Sequence, residues 1–201
     1  SIEALDYDPA PAWPLCGRIG EAPPDGWTET DGCPPERWGN PDFTDFPINS
    51  TFGPRRLASE DYRYDFHRGL DLSTALGSPV FAIADGVVRS AGVHPSYSDP
   101  VIQVRHFRPG AGGSCTAGGG CYQAEYLHLS GWAVEKNDVV VKGQLLGHTG
   151  ASASGYAHLH FEIRDAPVDD PFSAWQRDAI HPLRVLPYPD EGPAALEMSV
   201  D

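Results

Sequence analysis

The chain alternates apolar and polar positions over most of its length. From His158 to Ile163 the alternation is strict, which is the period of a half-buried β-strand. Upstream, strand-like runs recur at 79–84, 87–93, 101–107, 122–129, 138–141 and 144–147. Asp85-Gly86, between the first two runs, reads as the turn of a tight hairpin. No helical period of useful length precedes residue 165. The prediction is a mainly β fold with an antiparallel sheet core, one face buried and one carrying the polar candidate residues of a site. The exception comes late. Asp170-Pro171 reads as an N-cap followed by proline in the first turn, with Phe172, Trp175, Gln176 and Ala179 on one face. A short helix over 171–180 is expected, ending before Pro182 and inserted ahead of a closing segment at 180–186.

Residues 1–47 break this pattern. They are rich in Pro, Asp, Glu and Gly, with the pairs Pro23-Pro24 and Pro34-Pro35, and little regular structure is expected there. They also contain Trp13, Trp27, Trp38, Phe43 and Phe46, which a solvated tail does not need. An irregular arm packed on the folded domain is expected. The cysteines are Cys16, Cys33, Cys115 and Cys121, which allow three pairings. Local bridges joining Cys16 to Cys33 and Cys115 to Cys121 are the simplest. A second metal site is the rival, but no C-x-x-C occurs.

The formal charge is −14, and it is unevenly spread. Residues 1–65 contribute −8, residues 66–164 contribute 0 and residues 165–201 contribute −6. The central block is neutral and the acidity lies in its flanks. Nucleic acid, which needs a basic face, is not an expected partner. No apolar run reaches the length of a membrane span. The chain begins at Ser1 without methionine, so a mature or trimmed fragment is expected, and the lack of a signal peptide says little about destination.

The candidate chemistry lies in the polar positions of three strand-like runs. His158 and His160 share a strand face, with backbones about 6.6 Å apart. His67, Gly69 and Asp71 share one too. Their outer backbones would be about 13 Å apart if fully extended, so one shared ion needs a bend, and Gly69 sits where a bend is easiest. The same alternation puts Tyr126 and His128 on one face, with Leu127 and Leu129 on the other. A lone histidine in a strand is usually packed or solvent-facing. Three such runs together favour a metal site, because two histidines and a carboxylate form a catalytic zinc set with a position left for water. No H-E-x-x-H helix motif is present, so the helical zinc-protease arrangement is excluded. His94, His106, His148 and His181 read as structural or solvent-facing.

These motifs resemble the lysostaphin/LytM-type zinc metallopeptidases of peptidase family M23. The resemblance rests on His67-x-x-x-Asp71 and His158-x-His160. It extends to 50–55, to 67–88 with Gly77-Ser78-Pro79-Val80 and Ala84-Asp85-Gly86-Val87-Val88, and to Tyr126-Leu127-His128-Leu129-Ser130. It continues through Gly143-Gln144-Leu145-Leu146-Gly147 and 150–164. It implies a peptidase domain at 48–187 of the LytM type, a fold of duplicated hybrid motif character. The arm at 1–47 and a tail at 188–201 flank it. By position, the resemblance makes His67, Asp71 and His160 the ligands of one Zn2+ and His128 and His158 the catalytic histidines.

On that reading, the two imidazoles and one carboxylate leave zinc a net positive charge, able to polarise a carbonyl and lower the pKa of bound water to about 7. His158, beside His160, suits the base, and His128 suits oxyanion stabilisation, though the roles could be exchanged. Glu162 shares their face as a supporting or rim residue, and Tyr126 is a candidate for the substrate groove. Asn49 or an acid of the arm is a candidate plug for the site, as upstream segments are in some relatives.

The substrate class implied is peptidoglycan, in its cross-bridges or stem peptides. Gly-rich proteins such as elastin are the alternative, and so is a non-catalytic LytM-like domain that binds or activates a wall amidase. A monomer in an oxidising extracellular, periplasmic or cell-envelope setting is expected. The loop closed by Cys115 and Cys121 is expected either to wall the groove or to be a stapled surface hairpin.

Overall fold

The computed structural model describes residues 11–16, 26, 28–33, 48–57, 60–95, 97–108, 120–152, 155–165 and 179–186. The strands are β1 (Ile48–Ser50), β2 (Gly53–Leu57), β3 (Arg63–His67), β4 (Gly69–Ser73), β5 (Pro79–Phe81), β6 (Gly86–Gly92) and β7 (Val101–Phe107). They continue as β8 (Cys121–Leu127), β9 (Leu129–Trp132), β10 (Val139–Val140), β11 (Leu145–Thr149), β12 (His158–Asp165) and β13 (Ala179–Ile180). The large sheet runs β1-β4-β12-β8-β7-β6-β10, with β13 paired to β12. A smaller sheet runs β5-β11-β9, and β2 and β3 form a separate hairpin. The pairings are antiparallel, as the alternating pattern predicts. Among the described residues no helix is long and apolar enough to cross a membrane.

β12 is the axis of the large sheet. Its register sets Phe161 opposite Leu70 and Tyr126, and Ile163 opposite Ala124. Leu159, Phe161 and Ile163 therefore face a core shared with Leu70, Leu72, Ile102, Val104, Val80 and Leu146, all essentially inaccessible to solvent. Burial of each large side chain there contributes about 1.5–3 kcal/mol. His158, His160, Glu162 and Arg164 project from the opposite face.

That second face is not open. Gln103, Glu125, Glu162 and Arg164 are at most 2% exposed. The face that carries the histidines is itself buried at its centre, around paired charges. Arg164 Nε lies 2.9 Å from Glu162 Oε2 and 3.1 Å from Glu125 Oε1. Charges are stable in such a place only when paired and hydrogen-bonded.

The hairpin expected at Asp85-Gly86 does not form. β5 pairs with β11 in the small sheet, whereas β6 pairs with β7 and β10 in the large one. The intervening residues cross between sheets, and Asp85 Oδ1 accepts from Lys142 N at 2.8 Å. Gly86 serves close approach: a Cβ there would stand 2.5 Å from the Arg105 carbonyl oxygen.

The described residues of the 1–47 segment pack on the small sheet and the core. Trp13 and Leu15 are 2% exposed in the core. Ala12 N donates to Ile83 O at 2.6 Å and Phe81 N to Pro14 O at 2.8 Å, so the arm covers the edge strand β5. Cys16 and Cys33 form a disulfide. Cys33 N donates to Gly143 O at 2.7 Å, and Glu29 pairs with His148 Nε2 at 2.9 Å, so His148 ties down the arm. Asn49 is exposed on β1, and the arm's described residues lie along β5, β11 and the turn before β11 rather than over the histidines. Cys121 is disulfide-bonded, but Cys115 lies outside the described residues, as do Trp27, Trp38, Phe43, Phe46 and the tail at 188–201.

Most of the late helix expected at 171–180 also lies outside the described residues. Its last two positions are corrected, because Ala179 and Ile180 are strand β13, opposite Arg164 and Ile163. β12 extends past the end of β4, and β13 supplies backbone partners there.

Candidate metal and catalytic centre

β3 ends at His67 and β4 begins at Gly69, with Arg68 between them. Among the described residues β3 pairs with β2 in its hairpin while β4 enters the large sheet, so the chain bends where it changes partners. The bend removes the long gap of an extended segment: His67 Nε2 lies 3.1 Å from Asp71 Oδ1. Glycine is required at 69, since a Cβ would stand 2.3 Å from Phe161 O. The β4–β12 register then sets Asp71 opposite His160. His160 Nδ1 is 2.8 Å from Asp71 Oδ1 and 3.0 Å from His67 Nε2. The ligand atoms of His67, Asp71 and His160 all lie within 4.8 Å of one another.

Each group is held from behind. His67 Nδ1 donates to Thr51 O at 2.8 Å, which leaves the Nε2 lone pair facing the cluster. His160 Nε2 donates to Glu162 Oε1 at 2.8 Å, which leaves Nδ1 facing it. Asp71 Oδ2 accepts from Arg55 Nη1 at 3.3 Å, so Oδ1 is the inward oxygen. Glu162 is thus a buried support of His160, not a rim residue. Burial opposes ionisation of Asp71, but the adjoining His160 and His67 rings outweigh it and hold the carboxyl well below the usual range. Burial also disfavours a charged His160, yet Asp71 and Glu162 push its pKa up to about 9, so with no ion bound a proton sits on Nδ1 between the ring and Asp71, where a metal ion would replace it. Two nitrogens and one oxygen with lone pairs turned inward fit a divalent zinc ion.

His158 and His128 flank this cluster. His158 Nδ1 donates to Tyr156 O at 3.0 Å, and its Nε2 lies 3.6 Å from Asp71 Oδ1. The His128 ring centroid is 4.8 Å from that of His158 and 5.8 Å from that of His160. Simple alternation does not explain its position. On β8, Leu127 is opposite His160, whereas Tyr126 is opposite Phe161 on the core face. A continued strand would turn His128 toward the core. Instead His128 has φ +61°, a left-handed conformation that resets the alternation between β8 and β9. His128 Nδ1 donates to Asp99 Oδ2 at 2.7 Å. Burial lowers the His128 pKa against the opposing hydrogen bond to Asp99, with His160 and His158 adding to the fall, which favours the neutral ring.

Tyr126 is corrected. It is 0% exposed, its ring packs on Phe161 at 5.2 Å, and its hydroxyl accepts from Ile83 N at 3.2 Å. It belongs to the core and cannot line a groove. Tyr156 stands at the site instead, 43% exposed and stacked on His158, with its hydroxyl bonded to Ser73 Oγ. Asp99 was not foreseen. It is 29 residues from His128 in an irregular segment, and no local pattern links the two. His94, His106, His148 and His181 lie outside the cluster. His106 Nδ1 donates to Asp85 O at 2.9 Å, and His181 caps the short turn Pro182–Arg184.

A sequence model of peptidase family M23 matches residues 65–172. The chain is 34% identical over 125 residues to the peptidoglycan DD-endopeptidase ShyA of Vibrio cholerae, covering 61% of this chain and 26% of that protein. It is 33% identical over 125 residues to ShyB of the same organism, again spanning 26% of that protein's length. Its fold is similar to that of the antimicrobial peptidase lysostaphin from Staphylococcus simulans. There the TM-score is 0.54 and the identity 25%, covering 71% of this chain and 50% of lysostaphin. The family match takes in more than half of the 201 residues and contains each histidine of the cluster, and on that ground the chain belongs to peptidase family M23.

Proposed function

We propose that this chain is a zinc-dependent endopeptidase that hydrolyses peptide bonds of peptidoglycan, in its cross-bridges or stem peptides. The observation that carries the reading is the convergence of His67 Nε2, Asp71 Oδ1 and His160 Nδ1, with His158 and His128 beside them. His67, Asp71 and His160 are the residues that would hold the ion, and zinc bound there would supply the positive charge that polarises a scissile carbonyl and makes an attacking water more acidic. His158 takes the proton from that water, because its Nε2 faces the cluster while Nδ1 is committed to Tyr156 O. His128, bonded through Nδ1 to Asp99, stabilises the oxyanion as the carbonyl is attacked. The wall substrate is supported by the ShyA and ShyB relatives, which are peptidoglycan DD-endopeptidases. The Cys16–Cys33 disulfide supports a periplasmic or extracellular setting.

Digestion of purified peptidoglycan and of elastin, each with and without a metal chelator, tests the reading. Chelator-sensitive release of muropeptides is expected from peptidoglycan. Fragments from elastin alone would move the substrate to Gly-rich protein. Cleavage of neither would favour a non-catalytic binding domain.

A further inference from the structure

We propose that Asp99 is a positioning residue for His128, and that the hydrogen bond between Tyr97 and Glu125 holds it in place. The proposal rests on the assignment of His128 to the reaction made above. Asp99 Oδ2 and His128 Nδ1 are 2.7 Å apart. An ionised carboxylate only accepts, so the proton of the neutral ring sits on Nδ1 and Nε2 keeps its lone pair. Nε2 lies on the ring edge away from Asp99 and is the atom left for the reacting centre.

A carboxylate on irregular backbone would be a loose guide unless its segment were tied down. The segment between β6 and β7 is tied at three points. Tyr97 N donates to His94 O at 3.0 Å, closing a turn. Leu129 N, next to His128, donates to Pro100 O at 3.3 Å, which joins the two backbones directly. The Tyr97 hydroxyl donates to Glu125 Oε2 at 2.9 Å.

Glu125 belongs to the buried polar layer behind the cluster. Its Oε1 accepts from Gln103 Nε2 and Gln123 Nε2, each at 2.9 Å, and lies 3.1 Å from Arg164 Nε as an ion pair. Arg164 in turn holds Glu162, and Glu162 holds His160. One buried network therefore sets both the ring of a metal-binding histidine and the segment that orients His128. Burial and the adjacent Glu125 raise the Tyr97 pKa well above its ordinary value, so its hydroxyl stays a donor.

The test uses the full chain loaded with zinc. Long-range 1H–15N spectra of the imidazoles read the His128 tautomer without reference to activity. Turnover of a cross-linked muropeptide dimer gives kcat and KM. The variants are Asp99→Ala, the isosteric Asp99→Asn, and Tyr97→Phe, which removes the tie and leaves the carboxylate. The parent is expected to carry the His128 proton on Nδ1. Asp99→Ala is expected to lower that fraction and to lower kcat on the order of 10–100-fold with zinc retained. KM should stay within about twofold, since the lost interaction is not one of uniform substrate binding. Tyr97→Phe should cause a smaller fall in the same direction. Across parent and variants, kcat should rank with the fraction of His128 protonated on Nδ1, with Asp99→Asn serving this comparison if Asp99→Ala folds poorly.

An unchanged kcat in Asp99→Ala, a loss carried by KM alone, or an unchanged tautomer overturns the proposal. A parent that cleaves no muropeptide counts against the peptidoglycan reading instead. The tautomer shift between parent and variant then decides the positioning role by itself.

Discussion

Glu162 Oε1 stands 2.8 Å from His160 Nε2, while Asp71 Oδ1 stands 2.8 Å from Nδ1 of the same ring. The imidazole is held at both nitrogens by carboxylates, one facing the cluster and one buried behind it. The buried carboxylate fixes which nitrogen can serve as a ligand. Glu162→Gln is expected to weaken zinc binding by about 10–100-fold, measured by competition with a chromogenic chelator. Unchanged affinity would mean that packing alone orients His160.

The same residue predicts a pH dependence of stability. Burial works against a charged Glu162, but His160, Arg164 and Arg68 lower its pKa from 4.5 to about 2. Between those values the unfolded chain binds the proton more readily than the folded chain. The stabilisation is therefore fully present above pH 4.5 and is lost as pH falls through about 2. The urea midpoint should drop over that window in the parent and drop less in Glu162→Gln. Equal slopes in the two proteins would assign the acid sensitivity to other groups.

Metal content separates the candidate ligands from their neighbours. The parent is expected to hold one zinc ion per chain, and His67→Ala, Asp71→Ala and His160→Ala should each lose it, read by elemental analysis after dialysis. Full occupancy in any of the three would remove that residue from the ligand set.

His128→Ala and His158→Ala should retain zinc and lose turnover on the order of 100-fold or more, because each is placed in proton transfer or oxyanion stabilisation. Single-turnover cleavage of a muropeptide dimer measures this. An active His158→Ala enzyme would show that another group handles the proton.

Gly69→Ala tests the backbone beneath the site. The added Cβ would meet Phe161 O at 2.3 Å and the Glu162 side chain at 2.9 Å. Strands β4 and β12 would have to separate where Asp71 faces His160. A loss of about 1–3 kcal/mol or more in stability is expected, with weaker zinc binding alongside. A melting temperature equal to the parent's would show that the strands absorb the methyl elsewhere.

Much of the cluster was legible along the chain because strand geometry is local. The alternation from His158 to Ile163 is enough to put His158 and His160 on one face and Leu159, Phe161 and Ile163 on the other. Gly69 between His67 and Asp71 marks the bend. Trp13, an apolar residue in an otherwise Pro-rich and acidic segment, marked a contact with the core, where it is buried.

Sheet partners were not legible, since pairing is decided by contacts between distant segments. Asp85-Gly86 has the composition of a hairpin turn, yet β5 and β6 enter different sheets. His128 reaches the site only through its left-handed backbone, which no alternating pattern reveals and which left Tyr126 in the core. The buried layer of Glu125, Glu162 and Arg164, and the approach of Asp99 to His128, likewise exist only once β7, β8 and β12 lie side by side. The sequence by itself determined which residue types are available as candidate ligands and the face that His158 and His160 share. The tertiary structure decided which atoms meet, because interatomic distances across a sheet depend on strand register.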